Sequence, residues 1–155
     1  MPYIILTILI LIGDQGTKWL VRRYLLPGAS VSVIRGILKI QLVYNPGAAF
    51  GIFSGRTFLN FIPIAVAAVF FIYIFRNKNA HPFLKAALTM IAAGGIGNLI
   101  DRLLFHQVTD MISFSFFPPV FNGADICVTL GCAMVFLYAL LSDRMAGRTG
   151  KRRKK

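Results

Sequence analysis

Five aspartates, at positions 14, 101, 110, 125 and 143, are the only acidic side chains in this 155-residue chain, which contains no glutamate. Two of them could do chemistry together. Neither Asp110 nor Asp125 has a lysine or arginine within seven positions. Two carboxylates facing each other without a cation cannot both ionise cheaply, so one pKa is raised and the pair tends to share a proton. Such a pair suits acid/base hydrolysis of a peptide bond: one carboxylate deprotonates the attacking water, and the protonated one polarises the carbonyl and later protonates the leaving amine. Spacing alone leaves a plainer reading open, in which Asp125 merely caps a helix, as Asn122 three residues earlier could also do.

The remaining charged clusters read first as structural. Asp14 and Lys18 stand at i, i+4 with the acid leading, the better orientation for a helical ion pair. Asn98, Asp101 and Arg102 stand at i, i+3, i+4 on one helical face, and Asp101 is expected to be ionised and bridged to Arg102. His81 and His106 belong to no Cys/His ligand cluster, so neither a metal nor a cofactor is expected. Cys127 and Cys132, five apart on one helix, point to different faces and read as packing. No serine has an evident base, and Gly94-Gly95-Ile96-Gly97, inside an apolar helix, reads as packing rather than a phosphate loop.

The elements that must carry these residues are membrane helices. The chain is 57% hydrophobic and 14% charged, with a mean hydropathy of +0.71, too apolar for an ordinary soluble domain and incompatible with disorder. Its net charge of +12 would suit a nucleic-acid binder if it were spread over a polar surface. Instead seven of the basic residues crowd into positions 144–155, and the charge reads as a topology signal. A bilayer core of about 30 Å takes about 20 apolar residues in helix, and four runs qualify: roughly 3–22, 57–75, 83–104 and 123–141. The second is the cleanest, with no charge and with Pro63 tolerable near its start. The first is interrupted by Asp14 and Lys18; it lacks the basic leader and cleavage site of a signal peptide and reads as an uncleaved span. Ala93 and Gly97 in the third have the spacing that lets helices approach closely.

The expected fold is therefore an all-α membrane protein, four transmembrane helices with a small outward-facing β-sheet segment between helices 1 and 2. Residues 37–43 alternate at period two, and residues 31–33 would pair with them as a hairpin. Residues 1–143 form one domain; 144–155 read as a disordered basic tail. Arg76, Lys78, Lys85 and that tail place both termini in the cytoplasm, with segments 23–56 and 105–122 outward.

Asp14-Gln-Gly-Thr-Lys18, Asn45-Pro-Gly47-Ala-Ala-Phe50, Gly94 through Asn98-Leu-Ile-Asp101-Arg102, Val108-Thr-Asp110 and Phe121-Asn122-Gly-Ala124-Asp125 occur in that order. Together they closely resemble the motif set of the bacterial lipoprotein signal peptidases, signal peptidase II, over nearly the whole chain from about residue 3 to 143. The resemblance implies an aspartyl intramembrane protease of the bacterial cytoplasmic (inner) membrane, with its active site at the outer face. It would remove signal peptides from diacylglyceryl-modified prolipoproteins by cutting just before the lipid-modified cysteine. By the family pattern Asp110 and Asp125 are the catalytic dyad. Asp14, Lys18, Asn45, Gly47, Asn98, Arg102, Asn122 and Ala124 bind substrate or support the dyad, and Asp101 belongs to a structural ion pair. The implied partners are lipid-modified prolipoproteins, membrane lipids and the inhibitor globomycin; neither a nucleic acid nor a metal is implied, and the chain would act as a monomer. Met111, where an aromatic is frequent, and Gly123, where an aliphatic is common, depart from the pattern and bear on substrate fit. From other classes, a small transporter would use Asp14, Asp101 and Asp125 as an ion path, and a structural scaffold would leave the buried polar groups unexplained.

Overall fold

A computed structural model describes residues 1–46 and 61–152, with side chains through Ser142. Within these residues the order is α1 (Pro2–Tyr24), β1 (Ser30–Ile34), β2 (Leu38–Asn45), α2 (Phe61–Arg76), α3 (Pro82–Phe105), β3 (Val108–Phe114), β4 (Phe117–Phe121) and α4 (Gly123–Arg152). Three stretches are long and apolar enough to cross a membrane: Pro2–Tyr24, Pro82–Phe105 and Gly123–Ser142. At 1.5 Å per residue they measure roughly 34, 36 and 30 Å. The expectation of four spans is met only in part. α2 has 16 described residues, about 24 Å of helix, and residues 57–60 of the expected span lie outside the described ones. α4 continues to Arg152, past the point where the sequence suggested a disordered tail; no proline interrupts 143–152.

The helices are arranged inside out relative to a soluble bundle. Ile5, Leu9 and Ile12 of α1, Phe61, Val69 and Ile72 of α2, and Leu130 and Phe136 of α4 are exposed, while the buried residues include small and polar side chains such as Ala93, Lys18, Thr89 and Asp101. α3 is the central helix and packs against the other three. Its buried face carries Ala87, Ala92, Ala93, Gly94 and Gly97, which lets a neighbouring backbone come close. A Cβ on Gly94 would stand 2.5 Å from the backbone oxygen of Ala124 and 2.8 Å from Val128 Cγ2 on α4, so only hydrogen fits. His81 caps the start of α3, its Nδ1 accepting from the Phe83 backbone N–H at 3.2 Å, with Pro82 in the first helical position, where a missing N–H costs nothing.

The sheet is larger than expected and is not confined to the segment between the first two helices. Its four antiparallel strands run in the order β1-β2-β3-β4, the second pair coming from the connection between α3 and α4. β3 was hidden because Asp110 and Met111 break a simple alternation, and β4 because it contains Pro118 and Pro119. Prolines are compatible with a strand at the edge of a sheet, where a ladder donor is dispensable. Between β2 and β3, Ile40 faces Ile112 and Val43 faces Asp110, so Gln41 and Leu42 together oppose Met111: a bulge. Leu42 and Met111 pack with Val21 of α1 into the main apolar cluster, flanked by Leu25, Ile40, Tyr44 and Ile112. This cluster seats the sheet on the C-terminal end of α1.

Overpacking a tight contact typically costs about 1–3 kcal/mol. Gly94→Ala is therefore expected to lower the thermal midpoint of the detergent-purified protein. Gly95→Ala, whose new Cβ would lie 3.5 Å from Pro63 Cβ, an ordinary contact, is expected to leave it unchanged; equal effects in a thermal melt would refute this account of the packing.

Candidate active site

One stripe of α1 begins the site. Asp14, Lys18 and Arg22 are spaced i, i+4, i+8 and so project from one face. Lys18 is fully buried. Its Nζ lies 2.8 Å from Asp14 Oδ2, donates to Asn98 Oδ1 at 3.0 Å and stands 3.4 Å from Asp101 Oδ2. Three ammonium protons thus meet three oxygens on α1 and α3. The sequence expectation of an Asp14–Lys18 pair holds; that of an Asp101–Arg102 pair does not. Asp101 turns instead to Lys18 and to Arg22, whose Nη1 is 3.5 Å away. The physical reason is that adjacent helical residues diverge by about 100°, so Asp101 faces α1 while Arg102 points elsewhere.

Asp14 also secures the start of α4. Its Oδ1 accepts from the Ala124 backbone N–H at 2.8 Å, which places an anion at a helix N-terminus, where the exposed N–H groups and the helix dipole favour it. Room for this carboxylate comes from Gly97, whose Cβ would lie 2.7 Å from Asp14 Oδ2. Gln15 completes the joint by donating to Asp14 Oδ2 at 3.1 Å and to the Gly97 carbonyl at 3.0 Å.

Above this platform Asp110 and Asp125 are brought together, although one lies on a strand and the other in the first turn of a helix. Asn122 links them. Its Nδ2 donates to Asp110 Oδ1 at 2.7 Å, its Oδ1 accepts from the Asp125 backbone N–H at 2.9 Å, and its own N–H donates to Asp125 Oδ2 at 3.2 Å. The last two bonds are a reciprocal capping box. Both capping alternatives left open by the sequence are therefore realised, and they coexist with the pairing of the carboxylates. The other oxygens are held too: Asn45 Nδ2 donates to Asp110 Oδ2 at 3.0 Å, and Asn98 Nδ2 donates to Asp125 Oδ1 at 2.7 Å. Because Lys18 claims the oxygen of the Asn98 amide, the NH2 end must point at Asp125, which fixes the amide's orientation.

Absence of nearby cations in sequence does not carry over to space. Charge interactions connect half-buried Arg102 with both Asp125 and Asp110, and Lys18 also acts on both. Burial nevertheless dominates at Asp110, lifting its pKa from the ordinary 3.8 to about 6; the amide of Asn45 pulls the other way, the Asp125 charge adds to the rise, and Asn122 and Lys18 oppose it. The resulting centre can hold and exchange a proton near neutral pH. Asp14 and Asp101, by contrast, are committed to Lys18 and Arg22, which does not suit an ion path built on free aspartates. Gly47 lies outside the described residues. Gln15, Arg22 and Thr109 were missed. The i+8 spacing of Arg22 from Asp14 was a usable signal, whereas Thr109, although inside the Val108-Thr-Asp110 motif, was given no role of its own.

Paired carboxylates at one end of a bundle with membrane-crossing helices define a membrane-embedded protein with an acid/base centre. Residues 6–141 match the family profile described as signal peptidase (SPase) II. A lipoprotein signal peptidase of Symbiobacterium thermophilum is 39% identical over 147 residues, covering 91% of this chain and 95% of that one. One from Halothermothrix orenii is 40% identical over 146 residues, covering 94% and 99%. Two solved structures, each described as a bacterial membrane enzyme studied by the in meso method, align with TM-scores of 0.85 and 0.82 at 33% and 31% identity. The first alignment covers 92% of this chain and 89% of that structure, the second 90% and 92%. The chain belongs to the signal peptidase II family, and is thus a peptidase.

Two measurements probe the site without substrate. Removing one partner of a buried ion pair typically costs about 3–5 kcal/mol, so Lys18→Met is expected to depress the thermal midpoint far more than Lys39→Met, on the exposed surface of β2. The folded protein holds the Asp110 proton more tightly than the unfolded chain does, about 6 against 3.8. The folded state therefore binds more protons between those values, and stability falls as pH rises through them, the full penalty being present above about 6. In melts across this range, Asp110→Asn should lack this decline; a parallel profile would contradict the raised pKa.

Proposed function

We propose that this protein is an aspartic endopeptidase that removes signal peptides from diacylglyceryl-modified prolipoproteins, cleaving just before the lipid-modified cysteine. The observation that carries the reading is the joint capture of Asp110 and Asp125 by Asn122, within a chain of the signal peptidase II family. The ionised carboxylate takes a proton from water as its oxygen attacks the scissile carbonyl; the protonated one donates to the carbonyl oxygen. Collapse of the tetrahedral intermediate breaks the C–N bond and returns a proton to the leaving amine. Asn45, Asn98 and Asn122 keep the carboxyl oxygens aimed, so little reorganisation accompanies reaction. Asp14, Lys18 and Ala124 set the start of α4 beneath the dyad, and Arg102 and Gly47 belong to the surroundings that receive substrate.

The same reading gives the protein its place in the cell. It lies in the bacterial cytoplasmic membrane with four spans, both termini inside and the sheet outside. Support comes from Arg76, Lys78 and Lys85, which fall at one end of the bundle, where Lys85 Nζ lies 5.9 Å from the ring of Tyr3, opposite the end that carries the sheet. A substrate held by its lipid and an apolar signal helix diffuses in two dimensions and meets a dyad at that depth without being extracted. Water enters from the outward side, and globomycin occupies the same cleft.

General acid/base groups contribute about 10²–10⁴-fold to rate. Asp110→Asn and Asp125→Asn are each expected to reduce cleavage of a diacylglyceryl-modified precursor by at least that range's lower bound in a purified system, whereas Asp143→Asn, far along α4, retains activity. Near-normal cleavage by either dyad variant would overturn the mechanism.

A further inference from the structure

Arg22 belongs to none of the motifs that carry the family resemblance, yet it joins the polar network at a decisive point. Its Nη1 donates to Thr109 Oγ1 at 2.8 Å, and its guanidinium carbon lies over the Phe105 ring, 4.4 Å from its centre, which holds the group against the end of α3. Asp101 grips the same strand residue, its Oδ2 accepting from the Thr109 backbone N–H at 2.8 Å. Thr109 is thus fastened through backbone and side chain at once, and the next residue is Asp110. Asp101 Oδ1 is buried and accepts no hydrogen bond, so the Arg22 guanidinium, 3.5 Å away, is the cation that compensates it.

The network has a second arm. Asp101 Oδ2 lies 3.4 Å from Lys18 Nζ, Lys18 orients the Asn98 amide, and that amide holds Asp125. Arg22 therefore reaches Asp110 through Thr109 and Asp125 through Asp101, Lys18 and Asn98. We propose that Arg22 is a positioning residue: by clamping Thr109 and Asp101 together, it fixes Asp110 relative to Asp125. The proposal rests on the reading of these two aspartates as the dyad. A contact that only stabilises the fold would change the amount of folded protein and leave turnover per folded molecule intact. A substrate contact would raise KM. A positioning contact lowers kcat alone, because small misplacements of reacting groups slow the chemical step.

The test measures kcat, KM and thermal midpoint of the full chain in detergent, with a diacylglyceryl-modified precursor. Arg22→Met is expected to lower kcat about 10- to 100-fold with KM unchanged. Thr109→Val, which keeps the side-chain shape but removes the acceptor, is expected to lower kcat less. The double variant should be no slower than Arg22→Met alone, since both remove one contact. Arg22→Lys, which preserves the charge and a donor, should recover most of the rate. Arg23→Met, a neighbouring exposed arginine, should match the wild type. Unchanged kcat in Thr109→Val, a rise in KM alone in Arg22→Met, or fully additive losses would each overturn the proposal, and Thr109→Val decides it by itself should Arg22→Met not fold. Inactive Asp110→Asn and Asp125→Asn beside a normal Arg22→Met would reject Arg22 and keep the dyad; active aspartate variants would reject the dyad itself.

Discussion

The ammonium of Lys18 is the constraint from which the rest of the structure follows. A cation with no exposure to solvent in a helix built to sit in hydrocarbon is tolerable only if its charge and all its protons are answered. Asp14, Asn98 and Asp101 supply those answers, and meeting them fixes the register of α1 against α3. The two carboxylates are then answered in turn: Asp14 by the first turn of α4, Asp101 by Arg22 and by β3. Two acids and two bases close to a neutral set, so this network adds no net charge to the bundle.

Two kinds of cohesion divide the molecule between them. At the sheet, Val21, Leu42 and Met111 join α1 to β2 and β3 by apolar burial, which is strong but indifferent to small shifts. Around Asp110 and Asp125 the contacts are hydrogen bonds between short side chains, which fix direction. Gly94 and Gly97 connect the two regimes: the absence of a Cβ brings α3 close to α4 and opens the space that Asp14 fills.

Much of this arrangement was legible in the sequence, for definable reasons. The spans of α1, α3 and α4 followed from hydropathy, the β1–β2 hairpin from alternation, and the Asp14–Lys18 pair from helical spacing. Each is a property of consecutive residues. What escaped depends on contacts across the chain. Asp101 was assigned its sequence neighbour Arg102 although the helix turns the two apart, and β3 and β4 were invisible because Asp110 and Met111 break the alternation in one and two prolines stand in the other. The capping role of Asn122 was foreseen, but its bond to Asp110 was not, since nothing local joins a helix cap to a strand twelve residues earlier. Local pattern names the participants, and only the folded packing says which of them meet.

The double duty of Asn122 has one more consequence. Helix ends ordinarily fray at little cost, each terminal turn opening and closing many times before the helix as a whole does. Here the residue that closes the first turn of α4 also bridges the two carboxylates, so fraying of that turn and separation of Asp110 from Asp125 are one event. Any thermal opening that would expose the start of α4 disarms the centre at the same instant. The pairing of Asp110 with Asp125 is thereby confined to molecules whose helix start is fully wound.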